Sequence, residues 1–241
     1  MLTRLRPYDE YRTFGDDWVA RIPAHWAVYK LKYVADVRPS SVDKKTEVGE
    51  RQVRLCNYTD VYNNDTITDQ IEFMLASATD EEVKRFKLQP DDVLVTKDSE
   101  TWDDIAVPAH VTGDLGDTLC GYHLALIRPM PHMVTGRFLF YTFKASGLIE
   151  RLHVEALGVT RFALSQDALR SLMLPVPPVG EQRVITRFLD REMSRLERVG
   201  PAGVNGVGGR IGQLLDLLRE YRTALISAAV TGQIDVRERT A

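Results

Sequence analysis

The sequence holds few cysteines, no long apolar run and no excess of positive charge, and each shortage closes off a class of function. Among 241 residues there are two cysteines, Cys56 and Cys120. They lie far apart in the chain and form no CxxC pair, so the expectation is two buried, reduced thiols of a cytosolic protein. No stretch reaches the length of about 20 apolar residues that crosses a bilayer, and Met1 to Tyr11 is charged where a signal peptide would be apolar. The expected location is therefore cytoplasmic, with no membrane partner. Lysine and arginine number 31 against 34 aspartates and glutamates, a formal net charge of −3. Bulk charge gives no sign of a nucleic-acid binder, so any DNA contact requires a local basic surface.

Catalytic signatures are missing as well. No GxxxxGK[ST] loop is present to cradle a nucleotide phosphate, and no GxSxG elbow to expose a serine nucleophile. The Gly-rich run at 200–209 follows a helical pattern and not a strand, so it lacks the context of a dinucleotide-binding turn. Pro90-Asp91 with Lys97 resembles part of a nuclease site, but the acid expected two residues before the lysine is Val95. The Pro177-Pro178 pair is preceded by Val176 and followed by Val179, so an adenine methyltransferase motif has neither its amide nor its aromatic. The five histidines show no metal-ligand spacing. Asp98, Glu100, Asp103 and Asp104 are dense, and a solvated turn explains them better than a cation. The expectation is a chain with no catalytic and no metal-ligating residues.

What is present is an α+β pattern. Residues 1–26 read as an extended arm ending in Ile22-Pro23-Ala24-His25-Trp26. Gln52 to Leu55, Val93 to Thr96 and Leu124 to Ile127 read as strands, with turns at Asn63-Asn64-Asp65 and Gln89-Pro90-Asp91-Asp92. Asp80 to Phe86, after the cap residue Thr79, and Gly136 to His153 read as helices. Leu174-Pro175-Val176-Pro177-Pro178 reads as a stiff connector. Beyond it, Ile185, Leu189, Met193 and Leu196 share one face of a helix over 181–198. A second helix runs from about Ile211 to Val230, where Ile211, Leu214, Leu218, Tyr221, Leu225 and Ala228 take the spacing of a coiled-coil seam or of an ordinary core stripe. Between the two, Gly200 to Gly209 carries five glycines and a proline. That is a helical penalty of roughly 8 kcal/mol relative to alanine, which predicts a break at about 199–210.

Taken together, several blocks resemble the DNA-specificity (S) subunits of type I restriction-modification systems. Tyr8-Asp9-Glu10-Tyr11, Asp17-Trp18 and Ile22-Pro23-Ala24-His25-Trp26 are similar to their opening. Thr96 to Pro108 is similar to a stretch inside their target-recognition domains. Leu174 to Pro178, Glu181-Gln182-Arg183 and Phe188-Leu189-Asp190 resemble the junction into their helix, and Tyr221 to Arg237 their ending. The resemblance covers nearly the whole chain, in a short form with one recognition domain where the family has two. It departs from the family at 200–209, where the family's helix is continuous.

The resemblance implies a target-recognition domain over 1–178, with its arm at 1–26, then a helical region over 179–235 of long coiled-coil type and a tail over 236–241. It implies a non-catalytic subunit that reads half of a bipartite target in double-stranded DNA. Methyltransferase subunits and a motor-nuclease subunit are the implied partners, with S-adenosylmethionine, ATP and Mg²⁺ on those partners and no cofactor on this chain. A homodimer, or pairing with another half-subunit, would rebuild the two-domain form. Side-chain chemistry and expected loop positions nominate Asn57, Tyr58, Lys97, Ser99, Tyr122, His123, Thr160 and Arg161 as DNA contacts. The stripe Ile211, Leu214, Leu218, Tyr221, Leu225 and Ala228 is the expected subunit interface. Two alternatives stand beside this: an assembly-only half-subunit that has lost DNA reading, and a stand-alone nuclease or methyltransferase, against which the missing motifs argue.

Overall fold

The computed structural model describes residues 6–158, 161–199 and 210–237, without the side chains of 199, 210, 211 and 214. In chain order the first elements are β1 (Tyr11–Asp16), β2 (Val19–Pro23), β3 (Ala27–Lys30), β4 (Ala35–Pro39), β5 (Arg51–Cys56) and α1 (Tyr58–Asn63). Then come β6 (Thr66–Ile67), β7 (Met74–Ala78), α2 (Asp80–Phe86), β8 (Val93–Thr96), β9 (Asp98–Ser99), β10 (Pro108–Val111), β11 (Thr118–Cys120) and β12 (Leu124–Pro129). The remainder is mostly helical: α3 (Gly136–Phe143), α4 (Ser146–Glu155), β13 (Phe162–Ala163), α5 (Gln166–Ser171), β14 (Met173–Val176), α6 (Val179–Val199) and α7 (Arg210–Val230). The class is α+β, as expected.

A five-stranded sheet in the order β4-β12-β8-β10-β6 divides two apolar cores. Its central strands carry near-continuous apolar runs, Val93-Leu94-Val95 and Leu124-Ala125-Leu126-Ile127, because both faces are covered. The period of two then sorts them. Val93, Val95, Ala125 and Ile127 join a larger core with residues of α3 to α7. Leu94, Leu124 and Leu126 join a smaller core against α1, α2 and the three-stranded sheet β11-β5-β7. Cys56 and Cys120 are aligned partners of the parallel β5–β11 pair, both fully buried and unbridged. Burial, first among the causes, raises both thiol pKa values.

The opening, junction and ending blocks of the family resemblance are distant in sequence and converge in space. Glu181, in the first turn of α6, is their meeting point. Tyr8 Oη donates to Glu181 Oε1 at 2.6 Å and Trp26 Nε1 donates to the same oxygen at 3.0 Å. His25 Nε2 lies 2.8 Å from Oε2. A carboxylate at a helix N-terminus also sits favourably in the helix dipole. Burial and then the bond to Glu181 raise the Tyr8 pKa, so the phenol remains a donor. The C-terminal ending closes on the same spot. Tyr11 Oη donates to the Gly232 carbonyl at 2.9 Å, and the Asp235 amide donates to the Arg6 carbonyl at 2.7 Å. Gly232 has φ of 70°, and a Cβ there would stand 2.3 Å from Pro23 Cδ. Next to Glu181, fully buried Gln182 accepts from the Thr135 amide at 2.9 Å and donates to the Met133 and Pro177 carbonyls. Asp190 takes Arg137 Nη2 at 2.6 Å and Tyr141 Oη at 2.7 Å.

Several expectations are corrected. The N-terminal arm is a hairpin of β1 and β2, with Trp26 buried behind it. The single helix expected over Gly136 to His153 is two, because Ala145 is extended. Lys144 is held by Asp65, and the Ser146 amide is held by Ser227 Oγ of α7 at 3.1 Å. The proline connector is strand β14, paired antiparallel with β3. Proline is tolerated because this two-stranded sheet demands no outward amide from Pro175. The strand from Leu124 runs through Arg128 to Pro129. The two terminal helices are 21 residues each, ending at Val199 and starting at Arg210, so long coiled-coil helices are not shown. The expected break at 199–210 falls largely on 200–209, outside the described residues. The α6 stripe is as expected, with Ile185, Leu189 and Met193 buried. Of the α7 stripe, the side chains of Ile211 and Leu214 lie outside the described residues, and the other four differ in burial. Leu225 is buried, Leu218 and Ala228 are half-buried and Tyr221 is exposed, whereas Ile226, Ala229 and Val230 enter the core. Helix α7 packs against α3, α4 and α6. No described helix is long and apolar enough to cross a membrane.

Replacing Glu181 by alanine strands the Tyr8 hydroxyl and the Trp26 indole N–H away from water, at about 1–3 kcal/mol each. The expected loss of unfolding free energy is about 3 kcal/mol by urea denaturation, with Glu181→Gln losing less because it keeps an acceptor. A loss under about 1 kcal/mol for the alanine variant would show that the closure is not held there.

Candidate nucleic-acid interface

One end of the smaller core brings most of the nominated residues together. Strands β5 and β11 run parallel and end side by side at Cys56 and Cys120, so Asn57-Tyr58 and Tyr122-His123 emerge next to each other. The Gly121 amide donates to the Cys56 carbonyl at 2.9 Å, and a Cβ on Gly121 would stand 2.7 Å from that oxygen. Only glycine fits so close an approach. Strand β8 ends beside them and delivers Lys97 and Asp98. Pairing of β9 with β13 brings Arg161 in, Phe162 aligning with Ser99.

Asp98 organises this cluster. Its side chain is only 11% exposed. His123 Nδ1 approaches Asp98 Oδ1 at 2.6 Å, and Arg161 Nη2 donates to the same oxygen at 2.8 Å. Because a carboxylate only accepts, the short contact assigns the proton to His123 Nδ1. That leaves Nε2 as the ring's second polar atom. Arg161 Nη2 also lies 3.0 Å from His123 Nδ1, a contact that is then packing and not a hydrogen bond. The Arg161 side chain is 51% exposed, so part of its guanidinium edge faces solvent while the other part is fixed. Lys97 Nζ donates to the Ser40 carbonyl at 3.0 Å and lies 4.4 Å from the centre of the exposed Tyr122 ring. Burial lowers its pKa.

The remaining nominated residues have internal partners. The Asn57 amide group donates to the Leu55 carbonyl, and its backbone N–H is taken by Asp60 as α1 begins. Ser99, expected to emerge from the strand end, is buried and accepts from the Thr101 amide. Tyr58 stacks on Tyr62 at 5.6 Å with an interplanar angle of 14°. Thr160 lies outside the described residues. Asp98 as an anchor, Tyr62 and the exposed Trp102 are not nominated by the sequence. Tyr58 and Tyr62 at i, i+4 were a usable helical signal; nothing local marked Asp98. Of the acids expected to be a solvated turn, Asp104 accepts from Tyr62 Oη at 2.9 Å and from Thr101 Oγ1 at 2.8 Å. Among the described residues no cluster of three or more His, Cys, Asp or Glu has the arrangement to hold a metal ion.

The family model described as the type I restriction modification DNA specificity domain matches residues 23–200. The chain is 28% identical over 95 residues to the type I restriction enzyme EcoBI specificity subunit of Escherichia coli, covering 39% of this chain and 18% of that protein. It is 24% identical over 195 residues to the putative type I restriction enzyme MjaX specificity subunit of Methanocaldococcus jannaschii, covering 78% of this chain and 44% of that protein. Two solved structures share the fold. One is a chain of a type I R-M system studied for complex assembly and conformational transition, with a TM-score of 0.56 at 17% identity. The other is the HsdS subunit of Thermoanaerobacter tengcongensis, with a TM-score of 0.55 at 16% identity. Each covers 93% of this chain, which spans 49% and 48% of them respectively, so the chain is about half as long as either. Both curated relatives carry the name of a specificity subunit, the second as a putative one, and the chain spans less than half the length of each. This chain belongs to the type I restriction modification DNA specificity family.

Proposed function

We propose that this chain reads one half of a bipartite DNA target for a type I restriction-modification complex through the cluster around Asp98. The observation that carries the proposal is the half-exposed Arg161, clamped by a buried carboxylate beside His123. An arginine held in one orientation suits bidentate donation to the O6 and N7 of guanine in the major groove. Its preorganisation means that little side-chain entropy is lost on contact. His123, Tyr122 and Lys97 flank it with further polar and aromatic groups. We assign the reading role to residues 1–178, and to 179–235 the role of spacing and docking. Leu217 and Tyr221, exposed one turn apart on α7, are the apolar pair on which a methyltransferase subunit would sit. S-adenosylmethionine, ATP and Mg²⁺ then belong to the partner subunits.

Arg161→Ala should weaken binding of the full chain to its preferred half-site by about 1–3 kcal/mol, and unrelated duplex by much less. Asp98→Ala frees Arg161 without removing it, so its expected signature is relaxed discrimination with overall affinity nearly kept. Both are measured by titrating specific and scrambled duplexes at one salt concentration. Equal weakening on every sequence would reduce Arg161 to a phosphate contact, and no change for either variant would remove the cluster from the site.

A further inference from the structure

Phosphate neutralisation, which dominates DNA affinity, has no evident source in the Asp98 cluster. Arg161 and Lys97 stand there against Asp98 and Asp104, with Glu100 and Asp103 exposed nearby in sequence. The chain as a whole is acidic. A basic surface is found on α6. Arg183, Arg187, Arg191 and Arg195 recur every four residues, and all four are exposed. A four-residue step turns about 40° and rises about 6 Å, so over its three steps the row climbs about 18 Å while winding about 120° around the helix. Duplex DNA carries one phosphate per about 3.4 Å of axis on each strand, so a phosphate is within reach of every arginine in such a row.

We propose that this arginine row is a second, sequence-independent contact that lies against the phosphate backbone of duplex DNA. The inference rests on the reading that the chain binds DNA, and it adds a surface that reading does not use. Charge complementarity favours DNA over a protein on this face. Ile185, Phe188, Leu189 and Met193 are buried in the domain's own core, and Val184 and Leu196 pack against it. The exposed side therefore presents arginines with no aromatic residue among them to pair with in a protein interface. No acid pairs with Arg183 or Arg187 among the described residues. Glu192 lies 3.4 Å from Arg191 and 2.6 Å from Arg195. Exposed pairs of this kind are worth at most about 1 kcal/mol, so they yield readily to a phosphate.

The test compares the wild-type full chain with the quadruple variant Arg183→Gln, Arg187→Gln, Arg191→Gln, Arg195→Gln on a scrambled duplex, with salt varied. The expected result is a slope of log affinity against log salt shallower by about 2–4, and roughly tenfold or greater weakening on every sequence alike. The matching Arg→Lys quadruple variant, which keeps the charges, should retain most of the slope. Thermal melting confirms that each variant is folded, and the double variant at Arg183 and Arg187 serves if the quadruple one is not. An unchanged slope in a folded glutamine variant overturns the inference, including the case in which only binding to a protein partner is lost. A wild-type chain that binds duplex without sequence preference sinks the reading through Asp98 and leaves the arginine row standing. A wild-type chain that binds no duplex at low salt sinks both.

Discussion

The structure depends on one buried carboxylate. Glu181 draws the phenol of Tyr8, the indole of Trp26 and the imidazole of His25 onto the start of α6. A charge taken out of water is costly unless its lone pairs are satisfied, and three partners meet that demand. The consequence is topological. The N-terminal block, the entry to α6 and the C-terminal ending form one packed unit, sealed by Gly232 against Pro23 and by the Asp235 amide on Arg6. The segments around Tyr8 to Trp26 and Val230 to Val236 are thereby tied to the same core as the central sheet.

That closure separates two jobs within one chain. The resembling blocks around Tyr8, Trp26, Glu181-Gln182, Asp190 and Gly232 hold the helices to the sheet. The residues that meet solvent around Asp98 come from strand ends and short connections, Tyr122 and His123 from the edge of the smaller core and Arg161 from beside Phe162 on the larger one. Change at Tyr122, His123 or Arg161 leaves the Glu181 closure untouched.

Much of the frame was legible in the sequence. The double-sided burial of β8 and β12 shows as unbroken apolar runs, the capped helix α2 shows as Thr79 with three acids behind it, and the α6 stripe shows as steps of four, four and three. What was hidden depended on contacts distant in sequence. The break between α3 and α4 arises from Asp65 on Lys144 and Ser227 on Ser146, some 80 residues away in each case. The proline run became a strand because β3 was there to pair with it. In the candidate site, side-chain chemistry nominated Arg161 and His123, but not the carboxylate that joins them, since Asp98 looks like any acid in an acidic turn.

If the Asp98 cluster reads bases, this chain carries sequence preference of its own. The most direct measurement is selection by the purified full chain from a pool of randomised duplexes, followed by sequencing of what it retains. The account predicts enrichment of one short contiguous motif, with a guanine at the position that is lost when Arg161 is replaced by alanine. A retained pool with the same composition as the input would contradict it.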